Sequence, residues 1–108
     1  MRIEFAEDFH QDIDRITDHL IAHGAQVEMR IAEIFEALKI LRRNPYIGYE
    51  VEGGMRELVI GDKNKRRGYI ALYDVYEDSA DDKVDDEDEP KGVIFVNAIR
   101  SQQESGYH

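Results

Sequence analysis

Two stretches with helical periodicity, followed by stretches typical of strands, constrain the fold of this chain most strongly. In residues 7–23 the apolar residues recur at intervals of three or four, which predicts an amphipathic helix with a stripe formed by Phe9, Ile13, Ile16 and Leu20. Gly24 is predicted to end this helix, and a second helix follows directly with a stripe formed by Val27, Ile31, Ile34, Leu38 and Leu41. The second helix stops near Arg43, because Pro45 disfavours helical geometry in the residue before it.

The remaining periodic segments predict strands. Residues 2–6 alternate between polar and apolar side chains, and residues 55–60 (MRELVI) and 68–76 (GYIALYDVY) are rich in β-branched and aromatic residues, which predicts a hairpin. Residues 93–99 (VIFVNAI) predict a central strand, and residues 44–54 a loop. The order is therefore β-α-α-β-β-β. We expect an α+β fold in which the helical hairpin covers one face of a mainly antiparallel four-stranded sheet.

The length and composition predict one cytoplasmic domain. A chain of 108 residues is large enough for one modest core, so we expect a single domain over residues 1–108. The absence of cysteine excludes disulfides and thiolate metal sites and is consistent with a reducing cytosol. No apolar stretch near the N-terminus is long enough for a signal peptide or a membrane span. We therefore expect no membrane insertion.

The negative charge is concentrated in one segment. Residues 77–90 contain nine acidic residues and one lysine, so they carry −8 of the net charge of −10. The spacing of these acids does not match a calcium-binding loop, which favours a solvated acidic insertion over a metal site. An acidic surface repels phosphate, so direct binding of nucleic acid is disfavoured. We predict neither a metal nor a cofactor.

A basic pole is predicted at the other end of the sheet. In a β-meander, the turn at 61–67 lies at the end where the last strand finishes, so Arg100 and the polar tail at 100–108 emerge beside the basic residues of that turn. Arg56 lies on a strand and either binds a partner or pairs across the sheet with Asp74 or another acid. The candidate target-binding residues are Arg56, Lys63, Lys65, Arg66, Arg67, Arg100 and Tyr107.

These and other polar residues also have purely structural interpretations. A charged hairpin turn is often only solvated, and Tyr107 either packs locally or contacts a partner. His19 and His23 lie four residues apart on one helix and suit a metal, but the helix dipole alone explains a histidine in the last turn. Three further acids near the helix start are interpreted as solvated: Asp8, Asp12 and Asp14.

The segments NPYIG, MRELVIG, GYIALYDVY and VIFVNAIRSQQESGY, in this order after a helical hairpin, resemble the ParE/RelE superfamily. These proteins are the toxins of type II toxin-antitoxin, or plasmid stabilisation, systems. The most specific part of the resemblance is the combination of R-E-L-V, G-Y-x-x-L-Y and a closing R-x-Q-x-x-x-G-Y. It implies a cognate antitoxin as partner and leaves a homodimer open.

The resemblance also bears on the activity. In the RelE branch the toxin is a ribosome-dependent mRNA endonuclease, and arginines stabilise the charge that develops on the phosphoryl group. The family arginines align with Ile70 and Ser101 here, whereas Tyr107 matches the terminal tyrosine. This departure favours the ParE branch, which inhibits DNA gyrase by binding and needs no catalytic residue. The alternatives are a RelE-like nuclease that uses Arg56, Arg100 and Tyr107, and a non-toxic binding module on the same scaffold.

Overall fold

The computed structural model describes residues 1–61, 68–77, 91–104 and 106–107. In chain order, these residues form the strands and helices β1 (Arg2–Phe5), α1 (Glu7–Ala22), α2 (Val27–Lys39), β2 (Tyr49–Glu50), β3 (Arg56–Ile60), β4 (Tyr69–Glu77) and β5 (Gly92–Ser101). Short 3-10 turns follow α2 at Ile40–Arg42 and precede β3 at Glu52–Gly54. The predicted order of helices and strands is confirmed apart from the additional strand β2. None of the described helices is long and apolar enough to cross a membrane.

Both helices bury their apolar stripes against the same face of the sheet. Phe9 and Ile16 of α1 and Ile34 and Leu38 of α2 are buried in one cluster with the central strands, as the periodicity predicted. The helices do not follow one another directly: α1 ends at Ala22, Gly24 adopts a φ of +66°, and α2 begins at Val27. A left-handed glycine breaks the helical ladder and lets the chain reverse.

The sheet differs from the prediction in strand number and in direction. The described residues form five strands in the order β1-β5-β4-β3-β2, so the four-stranded prediction was wrong. The additional strand β2 lies within the predicted loop and pairs antiparallel with the start of β3. With two residues it is too short to show a period of two. β1 runs parallel to β5, whereas all the other pairs are antiparallel, which makes the sheet mixed.

The strand register assigns each side chain to one face of the sheet, because directly opposed residues point to the same side. The face that packs on the helices carries Tyr69, Ala71, Tyr73, Ile94, Val96 and Ile99, all of which are buried. The other face, which we call the open face, carries Glu57, Val59, Ile70, Leu72, Ala98 and Arg100. The register shifts near Leu72 and Tyr73, where Asn97 is an extra residue in β5.

Candidate target-binding surface

Arg100 and Tyr107 form a compact cluster on the open face. The guanidinium carbon of Arg100 lies 5.2 Å from the centroid of the Tyr107 ring, within the range of a cation–π contact. Nη1 of Arg100 also donates to the carbonyl of Glu104 at 2.8 Å. Arg100 lies within β5, which runs to Ser101, and residues 102–104 and 106–107 pack back against the sheet. The polar tail therefore begins two residues later than predicted.

Tyr107 follows β5 in the chain and contacts Glu57 of β3, which is two strands away from β5 in the sheet. Its hydroxyl donates to the Glu57 carboxylate at 2.9 Å. Burial, together with the hydrogen bond to Glu57, raises the pKa of Tyr107 well above its ordinary value. The phenol therefore stays protonated and acts as a hydrogen-bond donor to the Glu57 carboxylate. Arg100, Tyr107 and Glu57 form what we call the C-terminal cluster.

The two positions that align with the family arginines lie on opposite faces of the sheet. Ile70 pairs with Arg100 on the open face, and Ser101 pairs with the buried Tyr69 on the helix-facing side. The Arg100 side chain therefore points away from the side of the sheet that Ser101 faces. A one-residue register shift that would let Arg100 replace an arginine at 101 is absent at this end of β4 and β5.

Arg56 does not belong to this cluster, although it is the neighbour of Glu57 in β3. Arg100 is level with Val59 through Ile70, and Arg56 is three residues further along β3, about 10 Å away along the strand. Arg56 is opposite the buried Tyr73, so it also belongs to the other face. The chain reverses direction between β2 and β3, so Arg56 is at the start of β3 and Ile60 at its far end.

Arg56 instead fastens the loop that contains the NPYIG motif. Its Nη1 donates to the carbonyls of Gly48 at 2.9 Å and Tyr46 at 3.2 Å, and its guanidinium lies 5.0 Å from the centroid of the Tyr46 ring. Asp74, the acid proposed as its partner, accepts a hydrogen bond from Asn97 at 2.9 Å. Because Arg56 is opposite Tyr73, the adjacent Asp74 is on the other face of the sheet, so the prediction of an Arg56–Asp74 pair was wrong. The Arg56 guanidinium lies beside the loop, so it donates its hydrogen bonds to backbone carbonyls of the loop.

The basic turn and the acidic insertion fall largely outside the described residues. Lys63, Lys65, Arg66 and Arg67 all do, as do residues 78–90. The flanking strands nevertheless fix where the basic turn leaves the sheet, since Ile60 pairs with Tyr69 and Tyr69 pairs with Ser101. Arg100 is thus near the end of the sheet where β3 stops and β4 starts, and its predicted basic neighbours lie outside the described residues.

Sequence reasoning missed a polar network that ties α1 to the end of β5. Asp12 was interpreted as solvated, yet it is 3% exposed and accepts the backbone N–H of Ile99 at 2.9 Å. Arg15 contacts Asp12 at 3.3 Å and the Glu104 carboxylate at 2.5 Å. The signal was present in the helical spacing, because Asp12 is three residues after Phe9 and four before Ile16 and so lies on the apolar stripe. An open cleft of about 490 Å³ lies beside Arg15 and Glu104.

Comparison with known proteins agrees with this architecture. The model of the family described as the ParE toxin of the type II toxin-antitoxin system parDE matches residues 3–105. The chain belongs to this ParE toxin family. No curated protein and no solved structure matches it.

As a ParE-family toxin, the protein is one half of a type II toxin-antitoxin pair, and membership of the family implies an antitoxin partner. The match spans both helices and, apart from Arg2, all five described strands, so Arg100, Glu57 and the network around Asp12 lie within the matched region. Residues 106 and 107 follow the matched region. Tyr107 is therefore placed by its contacts with Arg100 and Glu57 rather than by the family model.

The described part of this ParE toxin holds no group of three or more metal-ligating side chains. His19 and His23 stack with ring centroids 4.2 Å apart, and Nδ1 of His23 lies 2.9 Å from the carbonyl of His19. This local contact at the end of α1 accounts for the position of His23. Chemically, the C-terminal cluster offers a cation, an aromatic ring and a carboxylate on one surface, which is a set suited to binding a protein partner.

Proposed function

We propose that this ParE-family toxin inhibits DNA gyrase by binding to it, and that a cognate antitoxin neutralises it by occupying its surface. Binding through a protein surface needs no nucleophile and no metal. The C-terminal cluster is the proposed target-binding surface, together with the basic residues Lys63, Lys65, Arg66 and Arg67. Arg56 is not part of this proposed surface, because its guanidinium donates to the loop carbonyls of Tyr46 and Gly48.

The observation that carries this proposal is that no free positive charge is found at the positions where a ribonuclease of this superfamily needs it, namely 70, 100 and 101. Ile70 and Ser101 are uncharged, and the guanidinium of Arg100 is engaged by the carbonyl of Glu104 and by the Tyr107 ring. A phosphoryl-transfer site requires cations directed at the oxygens on which charge develops. Arg100 instead contributes to a pre-assembled surface.

The tyrosines support the same conclusion. A general base works best when its pKa is near the operating pH. Burial raises the pKa of Tyr107, Tyr69 and Tyr73, so each of these phenols is held in its protonated form. The Tyr107 hydroxyl also donates a hydrogen bond to the Glu57 carboxylate, which is the arrangement of a structural contact. None of the three is set up to accept a proton from a ribose hydroxyl.

Purified toxin added to gyrase and relaxed plasmid tests the proposal. We expect supercoiling to be inhibited, and we expect Arg100→Ala to reduce the inhibition about tenfold or more, because a buried interface arginine commonly contributes this much. Arg42→Ala removes an arginine from the exposed turn after α2 and is the matched control.

Expression without the antitoxin gives the second arm of the experiment. We expect growth arrest with intact messenger RNA, and restored growth when the neighbouring antitoxin gene is co-expressed. Growth arrest with transcripts cut at the ribosome, together with unchanged supercoiling, would refute gyrase inhibition in favour of the nuclease. Normal growth and unchanged supercoiling would leave only the non-toxic binding module.

A further inference from the structure

The C-terminal part of β5 extends beyond the end of its neighbour β1. A side chain of α1 supplies the hydrogen-bond acceptor there. β1 pairs with β5 only as far as Val96, where the N–H of Ala6 makes the final bond. Three residues later, the N–H of Ile99 donates to Oδ2 of Asp12 at 2.9 Å. A buried backbone donor without a partner is costly, so the Asp12 carboxylate completes the hydrogen bonding of β5 beyond the end of β1.

Arg15 extends this contact from α1 to the chain beyond β5. Its guanidinium contacts Oδ1 of Asp12 at 3.3 Å and Oε2 of Glu104 at 2.5 Å. Arg15 therefore bridges two carboxylates that are 92 positions apart in the sequence. The Asp12 side chain is 5% exposed, that of Glu104 22% and that of Arg15 34%, so the bridge is largely shielded from solvent. Shielded, hydrogen-bonded ion pairs hold their geometry better than exposed ones.

Glu104 also closes the turn that follows β5. Its second oxygen, Oε1, accepts the N–H of Ser101 at 2.7 Å, and its own N–H donates to the carbonyl of Ser101 at 3.1 Å. Its carbonyl accepts from Nη1 of Arg100 at 2.8 Å. One residue thus connects the Arg15 guanidinium on the helix side with the Arg100 guanidinium on the open face. Arg100 in turn supports the Tyr107 ring.

We infer that Asp12, Arg15 and Glu104 are positioning residues for target binding: they hold residues 101–104 in the turn that presents Arg100 and Tyr107 together on the open face. This inference rests on the proposed function, because it assigns the three residues a role in that binding. It also makes a prediction about the free toxin that needs no target. Loss of the bridge should loosen the turn and leave the helix–sheet core in place.

Glu104→Gln is the variant of choice, because it keeps the side-chain length and removes the charge that Arg15 contacts. Glu36→Gln is the matched control, since Glu36 forms an exposed ion pair with Lys39 at 2.9 Å on α2. In the free toxin we expect the backbone amides of Ser101 and Glu104 to exchange about tenfold to a hundredfold faster in Glu104→Gln, as loss of a charge-assisted hydrogen bond implies. Amides of the core strands should keep their protection in both variants.

Gyrase inhibition is then measured for Glu104→Gln, Arg100→Ala and the double variant. We expect each single change to weaken inhibition about tenfold, and the double variant to be no weaker than Arg100→Ala, because the two act through one contact. Partial recovery in Arg15→Lys relative to Arg15→Met would follow from retention of the positive charge. A purely structural role predicts additive losses in the double variant instead.

The outcomes separate this inference from the proposed function. Wild-type toxin that inhibits gyrase, together with Glu104→Gln that inhibits equally well, would overturn the positioning role and leave gyrase inhibition standing. Unchanged amide exchange at Ser101 and Glu104 would overturn it as well. If the wild type has no effect on gyrase, the proposed function fails, and the inferred role in target binding fails with it; exchange faster only in Glu104→Gln would then support the bridge as a structural element alone.

Discussion

Gly48 lies so close to its neighbours that a larger residue would require them to shift. Its N–H donates to the Tyr73 hydroxyl at 2.9 Å, and the same hydroxyl donates to the carbonyl of Pro45 at 2.8 Å. A β-carbon at this position would lie 2.6 Å from the carbonyl oxygen of Glu57 and 2.7 Å from the Tyr73 hydroxyl. The NPYIG loop therefore approaches the sheet as closely as a backbone can.

Gly48→Ala should accordingly destabilise the protein. We expect the free energy of unfolding to fall by about 1–3 kcal/mol, because the backbone of β3 and the buried Tyr73 phenol must move to admit one methyl group. Denaturant titration followed by circular dichroism measures the change. Gly106→Ala, where nothing lies within 4 Å of the added carbon, is the control and should match the wild type. Equal stability of Gly48→Ala and Gly106→Ala would refute the tight contact.

Individual polar residues were the hardest feature to predict from the sequence. Asp12 and Arg56 are ordinary charged residues in the sequence, and each has a role set by a partner outside its own element: Ile99 of β5 for Asp12, and the loop that contains Tyr46 and Gly48 for Arg56. Local spacing carries no information about such partners. Arg100 was identified from the predicted basic pole and Tyr107 through the resemblance, and their contact with each other was visible only in three dimensions.

Among the elements, α1 enters the core through an aromatic residue in its first turn, Phe9. Phe9 is fully buried, with its ring centroid 4.8 Å from that of Phe5 in β1 and 5.9 Å from that of Phe35 in α2. It therefore joins both helices to the first strand. Aromatic rings at these separations stabilise one another in addition to the effect of burial.

Phe9→Ala should cost about 3–5 kcal/mol of unfolding free energy, because it leaves a cavity where three elements meet. Urea unfolding with equilibrium detection provides the measurement. Tyr76→Ala is the control, since the Tyr76 side chain is 58% exposed and its loss should change stability by about 0.5 kcal/mol or less. A loss for Phe9→Ala no greater than that for Tyr76→Ala would contradict the packing described here.

Elements with a clear period were predictable, and those fixed by distant pairing were not. Both helices and the strands β3, β4 and β5 follow from the spacing of apolar residues in segments of five or more. β2 has two residues, and its pairing with Glu57 and Arg56 depends on how the loop returns to the sheet. The parallel direction of β1 likewise depends on which neighbour it meets, and its own sequence is compatible with either direction.

For the molecule as a whole, the buried tyrosines predict loss of stability at alkaline pH. Burial raises the pKa of Tyr69, Tyr73 and Tyr107 in the folded protein above the value of about 10 expected in the unfolded chain. Between the two pKa values the folded state binds more protons, so the free energy of unfolding falls as pH rises. The stabilisation is fully present below pH 10 and is lost progressively above it.

Urea unfolding at intervals from pH 8 to about pH 11 checks this prediction. We expect the midpoint to decrease above pH 10, and the decrease to be shallower in Tyr107→Phe, which lacks one of the three phenols. Tyr76→Phe, which changes an exposed tyrosine, is the matched control and should follow the wild type. An identical decline in Tyr107→Phe and the wild type would show that the Tyr107 phenol does not contribute.

The parallel pairing of β1 with β5 has a consequence for synthesis of the toxin. β5 is the neighbour of both β1 and β4, so the first strand has no partner until residues 92–101 have left the ribosome. Contacts between the two extremes of a chain form late in folding. A product that ends before residue 92 lacks the interior strand β5, and with it Arg100 and Tyr107. If Arg100 and Tyr107 bind the target as proposed, interrupted translation should release inactive fragments, and only chains that include residues 92–107 should be toxic.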